Sequence, residues 1–307
     1  MEGDMEQNVR RWDKLDSKIL VKIFALLNVM EIVNVLPEVC DSWFDACYHQ
    51  DLWNAIDLTD LSSCQYGAPQ KPNSWAEDEE SNRLEQILVD VTHFGRRHAK
   101  NFFFNFFVFL REDDLALAAE RAPNVRKLAI PPWNSLMESS FEFACSQWRQ
   151  LQTLIIPGFR RHRRELRAVG QNCKNLANLK LMSPLTVELA KSIVDALPNL
   201  KSLSLRCSIV YKEAVTVILI RHLRLKNLNL SHCIFRDIPQ VNNTVRYYKE
   251  PNRTVVRRAK MNLEKFLVCS KDDCEICSSL FPFAGTDPDF NYREEIWRED
   301  ELEEFAF

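Results

Sequence analysis

The sequence predicts an α/β chain, with a small unit of three short helices followed by a short right-handed solenoid of about seven strand–helix repeats. Three observations lead there. A six-residue apolar pattern recurs at a near-constant interval through the middle of the chain. Helix-like stretches fill the gaps between its copies. A compact apolar segment, "LDSKILVKIF" from Leu15, precedes the first copy and is followed by tryptophans. Residues 10–54 are expected to form the helical unit and 55–268 the repeats, with 62–82 as a flexible insertion. Residues 269–307 are expected to form a cysteine-containing cap and an acidic tail.

The repeat justifies the solenoid. "VRKLAI" at Val125, "LQTLII" at Leu151, "LANLKL" at Leu176, "LKSLSL" at Leu200 and "LKNLNL" at Leu225 all read apolar-x-x-apolar-x-apolar, with starts 26, 25, 24 and 25 residues apart. One period earlier, "AKNFFF" at Ala99 fits, and "WNAIDL" at Trp53 fits beyond an insertion. "LEKFLV" at Leu263 fits the same template as a closing unit. The terminal alternation of each unit is a strand signal. "EDDLALAAERA", "TVELAKSIVDAL" and "KEAVTVILIRHL" lie between the strands and read as helices. A short strand and a helix every 25 residues or so make a leucine-rich repeat. Three residues before each strand motif stand Ala122, Trp148, Cys173, Leu197 and His222. Cys173 and Cys233 occupy cysteine positions of the cysteine-containing subtype, which this stretch resembles, and Cys207 falls one residue early. A free cysteine packs as a small hydrophobe, so these three are expected to be structural.

The opening unit is read from helical spacing. Leu15, Ile19, Leu20, Ile23, Phe24 and Leu27 recur at helical intervals, with Asp16 placed to cap them. Ile32, Val33, Val35 and Leu36 form a second short helix. Pro37 is expected to start a third, carrying Val39, Cys40, Trp43 and Cys47 on one stripe. Leu52 and Trp53, in "DLW", close the unit. So small a unit gains stability by packing on a partner or on the repeats behind it.

Leu15, "ILVKIF", "VCDSWFDAC" and "DLW" together resemble the F-box, with Asp16 standing where that family usually has proline. Joined to the repeats, they make the chain similar to the plant F-box/leucine-rich-repeat proteins. "LEKFLVCSKDDCEICSSLF" and "REEIWREDELEEF" look like the same subgroup. The resemblance implies a non-catalytic substrate receptor of an SCF ubiquitin ligase. A Skp-type adaptor, and through it a cullin–RING ligase, would meet Leu15, Ile19, Leu20, Ile23, Phe24, Leu27, Val39, Cys40, Trp43, Leu52 and Trp53. A client protein would meet the repeats. Because strand side chains alternate between faces, the expected client face is the open side of the sheet: Thr153, Ile155, Asn178, Lys180, Ser202, Ser204, Arg206, Asn227, Asn229 and Ser231.

Other classes of function find less support. Net charge is −3, and nine acidic residues lie between Asp287 and Phe307. The remainder is only mildly basic, which is not the concentrated footprint of a nucleic-acid protein. "FFFNFFVFL" at Phe102 is too short to span a bilayer. The polar, acidic N-terminus has no signal-peptide core, so the expected location is nucleus or cytoplasm with reduced cysteines. The six histidines form no H-E-x-x-H array and the six glycines no phosphate-binding loop. No catalytic residues, cofactor or metal are therefore assigned. Two alternatives remain open: a repeat scaffold with no ligase link, and a zinc or redox protein using Cys269, Cys274 and Cys277. The last has a C-x-x-C but no second one, and the nearest histidine lies far upstream. "RRHRRELR" at Arg160 places positive charge in a helix's first turn, against the dipole.

Overall fold

Eight short strands lie side by side and parallel, in the order β1 (Ala55–Asp57), β2 (Asn101–Phe103), β3 (Lys127–Ala129), β4 (Thr153–Ile156), β5 (Asn178–Leu181), β6 (Ser202–Ser204), β8 (Asn227–Leu230), β11 (Lys265–Val268). The computed structural model describes residues 12–59, 61, 81–95, 97–105, 108–131, 136–159, 161–237, 246–248, 250–269 and 274. The expected insertion falls outside these except for its last two positions, which open a helix, and the acidic tail from Asp287 lies outside entirely.

Every strand motif read from the sequence becomes a strand in the expected order. "LEKFLV" supplies the eighth, one more than the count of about seven. The pairings put one apolar residue of each strand in a single row: Ile56, Phe102, Leu128, Leu154, Leu179, Leu203, Leu228 and Phe266. All but Phe266 are buried in one core. Removing each such side chain from water is worth roughly 1.5–3 kcal/mol.

Helices return the chain between strands: α4 (Ser81–Gly95), α5 (Glu112–Arg121), α6 (Glu138–Gln147), α7 (His162–Asn172), α8 (Val187–Ala196), α9 (Lys212–Arg221) and α10 (Arg253–Asn262). They pack pairwise along the array. Gly170 makes one such approach close: a Cβ there would sit 2.1 Å from the Ala196 carbonyl oxygen at the end of α8.

Ala122, Trp148, Cys173, Leu197 and His222 turn out to be the residues that end α5 to α9. All are buried. Two of them also bridge successive repeats. The Trp148 indole donates to the Ala122 carbonyl at 3.0 Å, and His222 Nε2 donates to the Leu197 carbonyl at 2.8 Å. These bonds satisfy carbonyls that a helix end leaves open.

The spacing did not announce a second, three-stranded sheet. β7 (Ile209–Tyr211) pairs parallel with β9 (Ile234–Asp237), and β9 pairs antiparallel with β10 (Arg246–Tyr248). It forms where two consecutive repeats leave their strands through left-handed residues, Cys207 (φ 58°) and His232 (φ 57°).

At the other end, α1 (Ser17–Phe24) is capped by Asp16, whose carboxylate accepts from Lys18 N at 2.8 Å. Asn28 and Glu31 form a capping box on α2 (Val29–Asn34). The third helix departs from expectation. Pro37 lies in a separate 3-10 turn (Leu36–Glu38), Cys40 is extended (φ −171°, ψ 168°), and α3 starts only at Asp41 and ends at Cys47. Val39 and Cys40 therefore share no helical stripe with Trp43 and Cys47. The restart lets Trp43 meet Phe24 edge-on at 5.2 Å and donate to the Trp12 carbonyl at 3.2 Å. Trp53 joins this unit to the array. Its indole donates to the Cys47 carbonyl at 2.7 Å, and its ring stacks on Phe94 of α4 at 6.1 Å.

Burial pushes the His222 pKa below its ordinary 6.5, and its Nδ1 has no partner for a second proton. Below about pH 6.5 the unfolded chain takes up a proton that the folded chain refuses. Stability should then fall as pH drops towards the folded value, by at most about 1.4 kcal/mol per unit. Thermal unfolding followed below about pH 6.5 should show a shallower loss in His222→Leu than in the natural protein.

Candidate functional site

The first candidate face is on the N-terminal helices. On α1, residues four apart share a side. Leu20 and Phe24 turn inward and are buried, while Ile19 (48 % exposed) and Ile23 (37 %) turn to solvent. Leu26, in the turn after α1, is 84 % exposed. Val39 is exposed, and Leu15, Leu27, Cys40, Trp43 and Leu52 are partly buried. Leu20, Phe24 and Trp53 were expected among the contact residues. The structure corrects this, because they are the core of the unit and cannot touch a partner without unfolding it. Sequence reasoning missed Leu26, Val35 and Phe44, all exposed. Their signal was an apolar residue off the inward stripe.

The second candidate is the face of the main sheet opposite the helices. Eight of the ten expected residues share it, in two rows, while Arg206 and Ser231 follow the ends of β6 and β8. One runs Lys127, Thr153, Asn178, Ser202, Asn227, Lys265; the other runs Ala129, Ile155, Lys180, Ser204, Asn229, Leu267. The face is not open, however. Thr153, Ile155, Lys180, Ser202, Ser204, Arg206 and Asn229 are buried, Lys180 to 1 % and Asn229 to 0 % exposure. Only Asn178, Asn227 and Ser231 are partly exposed. Strands less than 5 Å apart put each side chain between two others at the same register. Cross-strand bonds draw them together further: Asn178 Nδ2 donates to Thr153 Oγ1 at 3.0 Å, and Asn227 Nδ2 to Ser202 Oγ at 2.9 Å. Asn229 Oδ1 accepts from Ser231 N at 2.9 Å. Lys127, above the Phe103 ring at 5.6 Å, has its pKa lowered by burial.

The basic segment forms the start of α7, with Arg160 outside the described residues. Arg161, Arg163, Arg164 and Arg167 are exposed. The charge opposing the dipole is offset locally. Glu165 accepts from Arg161 N at 2.8 Å, and Arg164 pairs with Glu138 of α6 at 2.9 Å.

The core cysteines are not poised for reaction. Burial raises the Cys47 thiol to about 11. The contact with Cys173, with burial added, holds Cys145 well above the ordinary range. Cys173 and Cys233 are buried against carbonyls of preceding repeats, those of Cys145 at 3.7 Å and Leu205 at 2.9 Å. Cys269 and Cys274 are different. They are partly exposed and lie with His232 at one end of the sheet, while Cys277 falls outside the described residues. Among the described residues, no helix is long and apolar enough to cross a membrane.

Asn229→Ala removes a fully buried amide and leaves the Ser231 N–H without its acceptor. It should cost about 1–3 kcal/mol in chemical denaturation, where a replacement on an open face would change little.

No protein-family model matches the chain. Two relatives from Arabidopsis thaliana align over almost all of it. One, an F-box/LRR-repeat protein, is 32 % identical over 308 residues, covering 98 % of each chain. The other, a putative F-box protein, is 34 % identical over 337 residues, covering 97 % of each. The F-box protein SKIP1 of the same plant is 26 % identical over 184 residues, 57 % of each chain.

Proposed function

Because this chain belongs to the F-box/leucine-rich-repeat proteins, we propose that it is the non-catalytic substrate-recognition subunit of an SCF-type ubiquitin ligase. The N-terminal helices bind a Skp-type adaptor, and through it a cullin–RING ligase. The repeats hold a client protein. The chain then acts by raising the local concentration of the client beside the ubiquitin-charged partner.

The observation that supports this reading is the exposure of Ile19 and Ile23 on a helix whose inward side is already closed by its own core, with Leu26 exposed in the turn that follows. A unit that serves only to cap the repeats has no use for large apolar side chains on its solvent side. Burying each against a partner is worth up to roughly 1.5–3 kcal/mol. Ile19→Asp combined with Leu26→Asp should therefore reduce co-purification with the adaptor about 100-fold or more, while the unfolding transition is retained. Undiminished adaptor binding would instead favour a repeat scaffold with no ligase link.

The client-contacting side of the sheet is reached through its accessible members, Asn178, Asn227 and Ser231. Lys180, Arg206 and Asn229 contribute where the client displaces what encloses them. Ser231→Arg places a long cation at the accessible rim. It should weaken the capture of clients trapped by the adaptor-blind double variant, with stability changed by no more than about 0.5 kcal/mol. Unchanged capture would move the client site away from this rim.

A further inference from the structure

We propose that His232, Cys269 and Cys274 form a structural zinc site that fastens the last strand of the solenoid. Their ligand atoms all lie within 4.8 Å of one another. The topology brings them together although Cys269 stands 37 positions after His232 in sequence. β8 and β11 are neighbours in register, Leu230 opposite Val268. Cys269 is the first residue after β11, and His232 stands two residues beyond Leu230. The left-handed backbone of His232 turns the chain sharply there, a conformation histidine adopts more readily than bulkier or branched residues do. Cys274 Sγ stands 3.4 Å from His232 Nδ1.

That distance suits a shared metal. Two ligands on a tetrahedral zinc, with Zn–S near 2.3 Å and Zn–N near 2.0–2.1 Å, stand about 3.5 Å apart. The donor set also selects the ion. Two thiolates and an imidazole are zinc ligands, whereas calcium and magnesium take oxygen, and iron–sulfur clusters take mainly cysteine. Cys277, at C-x-x-C spacing from Cys274, lies outside the described residues and is not part of the proposed site. On binding, each coordinating thiol gives its proton to solvent and the imidazole binds as the neutral ring.

The site answers a structural need. A solenoid ends on an open core. Phe266, Leu267 and Val268 of β11 are only partly buried, and Lys265 is exposed. Coordination ties the segment after β11 to the turn after β8, so the closing strand is held by metal bonds where apolar cover is thin. This revises the expectation that the chain holds no metal. The sequence offered a C-x-x-C and no nearby histidine, and the fold supplies the histidine.

The test uses full-length protein purified from zinc-supplemented cells. Metal analysis should find about one zinc per chain, and Cys269→Ser with Cys274→Ser should lower it to about a tenth or less. His232→Gln should weaken zinc binding at least about 10-fold, whereas His98→Gln, at a histidine outside the site, should not. Chelation should raise amide exchange across 265–268 and leave 178–181 protected. If the cysteine variant fails to fold, Co²⁺ titration of the chelated natural protein decides instead. Tetrahedral d–d bands with thiolate charge transfer support the site, and their absence overturns it. Folded protein free of zinc, copper in its place, or a Cys269–Cys274 disulfide in the purified chain would each overturn it too.

Discussion

One row of apolar side chains holds the molecule together. From Ile56 to Phe266, every strand of the main sheet contributes one residue to the same line. Side chains on a strand alternate, so a slip of one residue in any repeat would carry its leucine to the opposite face and its polar neighbour into the core. The interval between motifs is therefore constrained: each helix must return the chain in the same register. The close packing at Gly170 and the cross-repeat bonds of Trp148 and His222 all act on that return path.

The two ends of this row are finished differently. At the N-terminal end, β1 adjoins the small helical unit, and Trp53 makes the joint, its ring stacked on Phe94 and its indole N–H donating to the Cys47 carbonyl. The unit thereby shares the core of the array instead of depending on its own few residues. Its outward side chains are left available for a partner. At the C-terminal end, β11 is only partly covered, and the nearby concentration of histidine and cysteine is where a metal can do what apolar cover does elsewhere.

The sheet face opposite the helices carries another consequence of stacking. In a single repeat, a lysine or asparagine pointing away from the core looks like surface. In the array it stands between neighbours at the same register, and the hydrogen bonds from Asn178 to Thr153 and from Asn227 to Ser202 close the rows. Polar side chains there help hold the strands together. The accessible part of the face is then its partly exposed members, Asn178, Asn227 and Ser231.

The sequence by itself determined the repeat, the strand positions, the inward leucines and the cap at Asp16, because each depends on contacts within a few residues or on a fixed period. The exposed stripe of α1 was half legible. Period and hydrophobicity showed which residues are apolar, but the direction of the core decides that Leu20 and Phe24 are inside and Ile19 and Ile23 outside. The restart of α3 at Asp41 follows from the meeting of Trp43 with Phe24 and Trp12, residues 19 and 31 positions earlier. That Lys180 is enclosed and that His232 stands beside Cys274 emerges with the packed chain alone. Both depend on contacts between residues far apart in the chain, which no local pattern encodes.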